Sequence, residues 1–338
     1  MYAHLKITAL SLLAIAATAS AAALGSRTAN IELPHRLVHQ FPVGTWIENI
    51  AVRRNGNLLL TGLSPNATLY EVSHPDSKKP STKTLFTLST VSSLLGIAEV
   101  SNDRFAFLGG NFTTTEGGVK GTWGVWTVDF THHISPKPRL AASLPDAILP
   151  NGMTTIPGHK ELALVADSTN GLVYTVNVDT GKVQVTHDFP EMKPTSHNPP
   201  AIGINGLHIR RGYLYFTNLL THTLFKLKIN NDGTTASGAK VETVAVVNST
   251  ALDDFTFGPG SRDIAWLTTN PSNSVVAVSR NGQAKVVAGG PSSSTVPGAT
   301  ACQFGRKNND GKILYVTTSG GETKGGTVQA IDTTKFCW

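Results

Sequence analysis

Three runs decide the fold: Asn151-Gly-Met-Thr-Thr-Ile156, Glu161-Leu-Ala-Leu-Val-Ala-Asp167 and Gly171-Leu-Val-Tyr-Thr-Val-Asn-Val178. Each is short and rich in Val, Leu, Thr or Tyr, and turn residues such as Pro157-Gly158 and Thr169-Asn170 separate them. That texture belongs to antiparallel strands joined by tight turns, not to helices. The unit then returns. Asn205-Gly-Leu-His-Ile209 is followed by Tyr213 to Asn218 and Thr223 to Ile229. Further copies start at Glu48, Gly96, Asp253 and Thr300, with second strands at Asn57 to Thr61, Arg104 to Leu108, Ile264 to Thr268 and Ile313 to Thr317. The six starts lie 48, 55, 54, 48 and 47 residues apart. Multi-strand repeats of this period are propeller blades. The expected fold is therefore all-β, a six-bladed propeller of four-stranded antiparallel blades. The strand-like segment Ile31 to Gln40 precedes the first full copy, so it is expected to close the ring as the outer strand of the last blade.

The 338 residues divide into a leader and one propeller domain. Lys6, the apolar run Ile7 to Ala17 and the small residues Ala17, Ala19 and Ala21 form a secretory signal over residues 1–21. The apolar run is too short to span a bilayer, and no later stretch is long or apolar enough to do so. Residues 22–338 are left for the propeller. Entry to the secretory pathway, ending outside the cell or in a vesicle, frames two further expectations. Cys302 and Cys337 are the only cysteines, and an oxidising compartment favours a disulfide between them over a metal site. That bridge would pin the tail beneath the ring and close a loop of about 35 residues. Three sequons, at Asn66, Asn111 and Asn248, are candidate glycosylation sites. The net charge of +6 is scattered, with no basic stripe interleaved with aromatics, so nucleic acid is not an expected partner. The oligomeric state is not legible.

In a propeller the starts of the inner strands converge at one mouth of the central channel. Four of the six starts carry hard oxygen donors: Glu48, Asn151, Asn205 and Asp253. Two carboxylates and two amides match what Ca²⁺ or a similar cation accepts, and the absence of His and Cys from the set makes zinc or copper a poor fit. Asn-Gly and Asp-Asp are also ordinary turn formers, and polar groups line any watery channel. The same quartet is thus also readable as hydrogen-bonded bracing. His208, three residues after Asn205, is expected to point into the sheet. Trp46, Phe112 and Phe255 are aromatics near the mouth, placed either to line it for an apolar ligand or to pack between blades. No nucleophile elbow, phosphate loop or His-Glu-x-x-His motif occurs.

Glu48-Asn-Ile-Ala-Val-Arg53, Pro150-Asn-Gly-Met153 with Ala166-Asp-Ser168, Asn205-Gly-Leu207 and Asp253 resemble the gluconolactonase/senescence-marker-protein family of six-bladed propellers. The resemblance covers nearly the whole mature chain. It implies a divalent cation held by Glu48, Asn151, Asn205 and Asp253, polarising a lactone carbonyl, with Asp253 as general base. The chain reads Leu252-Asp-Asp-Phe255 where that family has Pro-Asp-Gly, which leaves the choice between Asp253 and Asp254 open. Trp46-Ile-Glu-Asn-Ile-Ala-Val-Arg53, Leu252-Asp-Asp-Phe255 and Thr269-Asn-Pro-Ser-Asn273 look closer to a fungal secretory branch of the fold. That branch includes the hetero-Diels–Alderases of tropolone–sesquiterpene biosynthesis. This second resemblance implies a cycloaddition joining a quinone-methide tropolone to a humulene-type olefin, both small and hydrophobic, with no cofactor required. Catalytic roles would fall to Glu48, Asp253 and Trp46, and substrate contacts to Asn151, Asn205 and Asp254. Two alternatives stand beside it: a metal-dependent lactonase, and a propeller that binds a ligand or protein without turnover.

Overall fold

The computed structural model describes residues 31–131, 136–196 and 198–338; the expected signal segment, residues 1–21, lies outside them. Six four-stranded antiparallel sheets form six blades. The innermost strands are Trp46–Val52, Ser93–Ser101, Pro150–Ile156, Ile204–Arg210, Leu252–Phe257 and Ala299–Phe304. Each touches the next, and the last touches the first, so the blades close a ring. No α-helix occurs among the described residues. Regular non-β structure is one 3₁₀ turn, Pro190–Met192, and none of the described helices is long and apolar enough to cross a membrane.

The position of a strand in its blade follows from its residues. Inner and second strands are buried on both faces, and their sequences are near-continuous apolar runs such as Leu58–Ser64 and Arg104–Gly110. Outer strands keep one wet face and an open edge. They carry charge and threonine, as in Ser81–Thr87 and Val241–Val246, which keeps the edge from pairing with other chains. The ring closes as the sequence implies. His35–Gln40 pairs antiparallel with Thr327–Asp332 and becomes the outer strand of blade 6. The residues just before it also bond to the outer strand of blade 5, through Leu33 N–H to the Val287 carbonyl at 2.9 Å. The two long repeat spacings have structural causes. Blade 2 inserts a small hairpin, Phe112–Thr113 with Gly117–Gly118, and a long connection carrying the 3₁₀ turn joins blade 3 to blade 4.

The expected disulfide is absent: Cys302 and Cys337 are both free thiols. Cys302 is buried in the inner strand of blade 6, its thiol directed at the Trp266 carbonyl at 3.2 Å, whereas Cys337 is exposed. The tail is held by aromatic packing instead. Phe336 meets Trp266 edge-on at 5.0 Å, Trp338 packs on Phe336 at 5.8 Å, and Lys285 lies over the Trp338 ring at 4.9 Å. Among the sequons, Asn66 and Asn248 are exposed, while the half-buried Asn111 accepts the Ser92 N–H at 3.0 Å.

Candidate functional site

The six predicted starts coincide with one backbone device. In blades 2 to 6 the pairing of inner and second strand skips two residues: Leu95-Gly96, Asn151-Gly152, Asn205-Gly206, Asp253-Asp254 and Thr300-Ala301. In blade 1 the break falls at Glu48, followed by Asn49. A β-bulge turns extra residues out of the ladder and re-aims their side chains. Repeated at one level in six blades, it builds two stacked rings around the axis. The first ring is Glu48, Leu95, Asn151, Asn205, Asp253 and Thr300, all buried. The structure therefore brings the predicted quartet to one level, with Thr300, and places Leu95 where the sequence reading put Gly96. Gly96 belongs to the second ring, with Asn49, Gly152, Gly206, Asp254 and Ala301.

Small residues in the second ring are a packing requirement. A Cβ on Gly96 would sit 2.3 Å from the Asn151 carbonyl oxygen, and one on Gly152 would sit 2.3 Å from that of Asn205. At these two positions the blades meet backbone to backbone, so only glycine fits there. Threonines of the second strands brace the bulges. Thr217 accepts the Gly206 N–H at 3.0 Å and donates to the Asp253 carbonyl of the next blade at 2.7 Å. Thr268 bridges the Asp254 and Thr300 carbonyls at 2.7 and 2.8 Å. Thr61 and Thr317 accept the Asn49 and Ala301 N–H groups at 3.0 and 3.2 Å within blades 1 and 6. The sequence signal for these was present in the threonines that end the second strands.

The two aspartates face different ways. Asp253 looks toward the mouth, beside Asn205 and Asn270, which partly offset the rise of its carboxyl. Asp254 closes the channel below. Its Oδ2 accepts from Asn49 Nδ2 at 2.8 Å across the ring, its Oδ1 accepts the Phe255 N–H at 2.8 Å, and His208 Nε2 lies 3.5 Å away. Below this closure a cavity of about 320 Å³ opens to the opposite face, lined by His208, Thr154, Gln303 and Arg306 among others. His208 thus faces this lower channel, its ring edge-on to the fully buried Phe255 at 4.9 Å. Phe255 packs between blades rather than lining the mouth.

Burial and crowding hold protons on the mouth acids. Desolvation, opposed by the Trp46 hydrogen bond and reinforced by Asp254, pushes the Glu48 carboxyl up to about 7. Desolvation and the Glu48 charge raise the Asp253 carboxyl well above the usual range. Trp46 Nε1 donates to Glu48 Oε2 at 2.6 Å. Its ring, with Phe112 and Ile202, packs on the apolar cluster containing Leu95, Leu149 and Met153. The mouth is two-sided, with an apolar wall around blades 1 to 3 and acids and amides around blades 4, 5 and 1. Val43, Val119 and Leu220, all exposed, lie in connections on the same face.

No protein-family model matches the chain. A relative from Phoma sp named as a hetero-Diels-Alderase is 33% identical over 336 residues, covering 93% of this chain and 94% of its own length. The chain belongs to the hetero-Diels-Alderase family. A second relative of that name, from Sarocladium schorii, is 30% identical over 339 residues, covering 90% of this chain and 84% of its own. Among solved structures, a gluconolactonase from Xanthomonas campestris superposes with a TM-score of 0.60 at 12% identity, over 90% of this chain and 91% of that one. At that identity the likeness is one of fold, the six-bladed propeller.

Proposed function

We propose that this chain catalyses a hetero-Diels–Alder cycloaddition at the mouth, joining a quinone-methide tropolone to a humulene-type olefin. Family membership supports the reaction class, and the two-sided mouth supports the chemistry. In this reaction the exocyclic methylene carbon bonds to one olefinic carbon and the carbonyl oxygen to the other, closing a dihydropyran. No proton or electron is exchanged with the protein. Catalysis then consists of holding two partners in attack geometry, excluding water that would add to the quinone methide, and donating a hydrogen bond to the carbonyl. A carboxylic acid kept neutral by burial makes such a donor. Asp253 fills that role, beside the amides of Asn205 and Asn270. Glu48 supplies the second acid, oriented by the Trp46 indole. The apolar partner lies against Trp46, Phe112 and Ile202.

The single observation carrying this reading is the membership in a family named for the reaction, at 33% identity over nearly the full length. The test is to generate the quinone methide in the presence of the olefin and separate product stereoisomers. Enzyme should give faster formation and one stereoisomer, and Asp253→Val should reduce the rate by about 10²-fold, the usual cost of one preorganised donor. A racemic product at the uncatalysed rate rejects the proposal.

One observation favours a second reading. The buried Asn205 Oδ1 has no hydrogen-bond partner. It stands beside crowded carboxylates, an arrangement that a hard cation would complete. Glu48, Asn151, Asn205 and Asp253 would hold the ion, and it would act as a Lewis acid on a bound carbonyl. No group of three or more His, Cys, Asp or Glu among the described residues is arranged for a metal, so the two amides would have to complete the set. Metal analysis of purified protein, with lactone turnover measured before and after chelation, tests it. A metal-free protein without lactone turnover rejects it.

A further inference from the structure

Strands alternate in direction within each blade, so the turns joining first to second and third to fourth strands lie on the face opposite the mouth. Arg54, Arg262, Arg280 and Lys312 on these turns, and Lys160 at the start of the following strand, stand exposed, and none has an ion pair among the described residues. This face draws anions toward it.

Within it, a cleft of about 120 Å³ opens between blades 4 and 5. Tyr213, Tyr215 and Phe257 form its aromatic side, with Tyr215 edge-on to Phe257 at 4.8 Å. Leu224, Val244 and Val278 form an aliphatic floor. Arg211, Lys226 and Arg280 supply the cations. The acid in the cleft, Asp263, is already taken by Arg210 Nε at 3.0 Å and Arg211 Nε at 3.1 Å. Lys226 pairs with Glu242 at 3.1 Å and reaches over the Tyr213 ring at 5.2 Å. Arg280, by contrast, makes neither an ion pair nor a hydrogen bond among the described residues, and the Tyr215 hydroxyl has no hydrogen-bond partner there either. Both line the cleft; burial raises the Tyr215 hydroxyl, Lys226 and Arg280 oppose that rise, and Asp263 and Tyr213 add to it.

We infer that this cleft binds a single-ring aromatic carboxylate, its ring against Tyr215 and Phe257 and its carboxylate accepting from the Tyr215 hydroxyl and the Arg280 guanidinium. The volume admits one small ring. The aliphatic floor favours a carbon face over a fully hydrated anion such as phosphate, and the guanidinium fork matches a carboxylate edge. The site lies across the ring from the mouth and does not depend on the reaction proposed there.

Benzoate is the probe, titrated into the full chain by calorimetry or by amide chemical shifts at low salt. Saturable binding is expected, with benzamide and inorganic phosphate each at least about tenfold weaker, the step a charge-assisted hydrogen bond contributes. Arg280→Gln and Tyr215→Phe should each weaken benzoate by about fivefold or more. Lys312→Gln, on the same face but outside the cleft, should leave it unchanged. Equal binding of benzamide would mean an apolar pocket, and equal binding of phosphate a diffuse field; either overturns the assignment. So does unaltered affinity in Arg280→Gln, or no saturation by benzoate at all.

Discussion

Replacing Glu48 with glutamine should stabilise the protein at alkaline pH and do nothing at acid pH. Glu48 is 5% exposed, and its carboxyl rises from the ordinary 4.5 to about 7 because burial and Asp254 penalise the charged form. Below the unfolded value, both folded and unfolded states hold the proton and Glu48 is neutral in the balance. As pH rises from 4.5 through 7, the unfolded state releases its proton while the folded state keeps it, so stability is lost progressively. Above the folded value the loss is complete. Two and a half units correspond to about 3 kcal/mol at 1.36 kcal/mol each. Glutamine fills the same volume, still offers an oxygen to the Trp46 indole, and never titrates. Urea unfolding of both proteins at constant salt with a chelator present should show equal stability near pH 4. The variant should be favoured by about 3 kcal/mol near pH 8. A variant that is equally or less stable near pH 8 refutes the desolvation argument. If the deficit of the variant appears only without chelator, a bound cation is neutralising the acids instead.

Three further outcomes follow from the geometry. Thr217→Val removes the acceptor of the Gly206 N–H and the donor to the Asp253 carbonyl in a fully buried place; denaturant unfolding should show a loss of about 1–3 kcal/mol. Gly152→Ala drives a methyl to 2.3 Å from the Asn205 carbonyl oxygen, so blades 3 and 4 must separate. It should lower stability by about 3 kcal/mol or more and broaden the amide spectrum of both inner strands, whereas a silent substitution would contradict the backbone contact. Alkylation of the native protein should label Cys337 alone, with Cys302 reacting only after unfolding and without any reductant. A requirement for reductant would restore the disulfide.

The blade count, the second strands and the closing strand were legible because they depend on local alternation and on a repeat. The bulge was not, since it is a property of pairing between strands. A reader of one strand sees Asn151-Gly152 and Asp253-Asp254 as turn formers, and nothing marks Leu95 rather than Gly96 as the member of the first ring. The Asn49–Asp254 bond joins residues 205 apart in sequence, and its partners come together only through ring closure. Asn270 was visible only within the Thr269-Asn-Pro-Ser-Asn273 stretch, yet it acts on the Asp253 carboxyl. The cysteine expectation rested on number and compartment. It failed because position in the blade decides which thiol is buried and which is wet.

The bulge also explains how one scaffold serves different chemistries. A ladder residue must satisfy its neighbours across two strands, so its identity is constrained by packing. A bulged residue owes the sheet only its backbone, and here threonines such as Thr217 and Thr268 hold that backbone in place. Thr300 still braces the Ile47 carbonyl at 2.7 Å and Leu95 packs in the apolar cluster, but the other four first-ring side chains are released from ladder packing, and the glycines of the second ring let the blades approach closely enough to bring the ring together. Four polar residues, one threonine and one leucine at that level produce a mouth that desolvates its own acids. Exchanging Leu95 for a polar residue would admit water beside Glu48. It would draw that carboxyl back toward 4.5, because the largest cause of its elevation is burial.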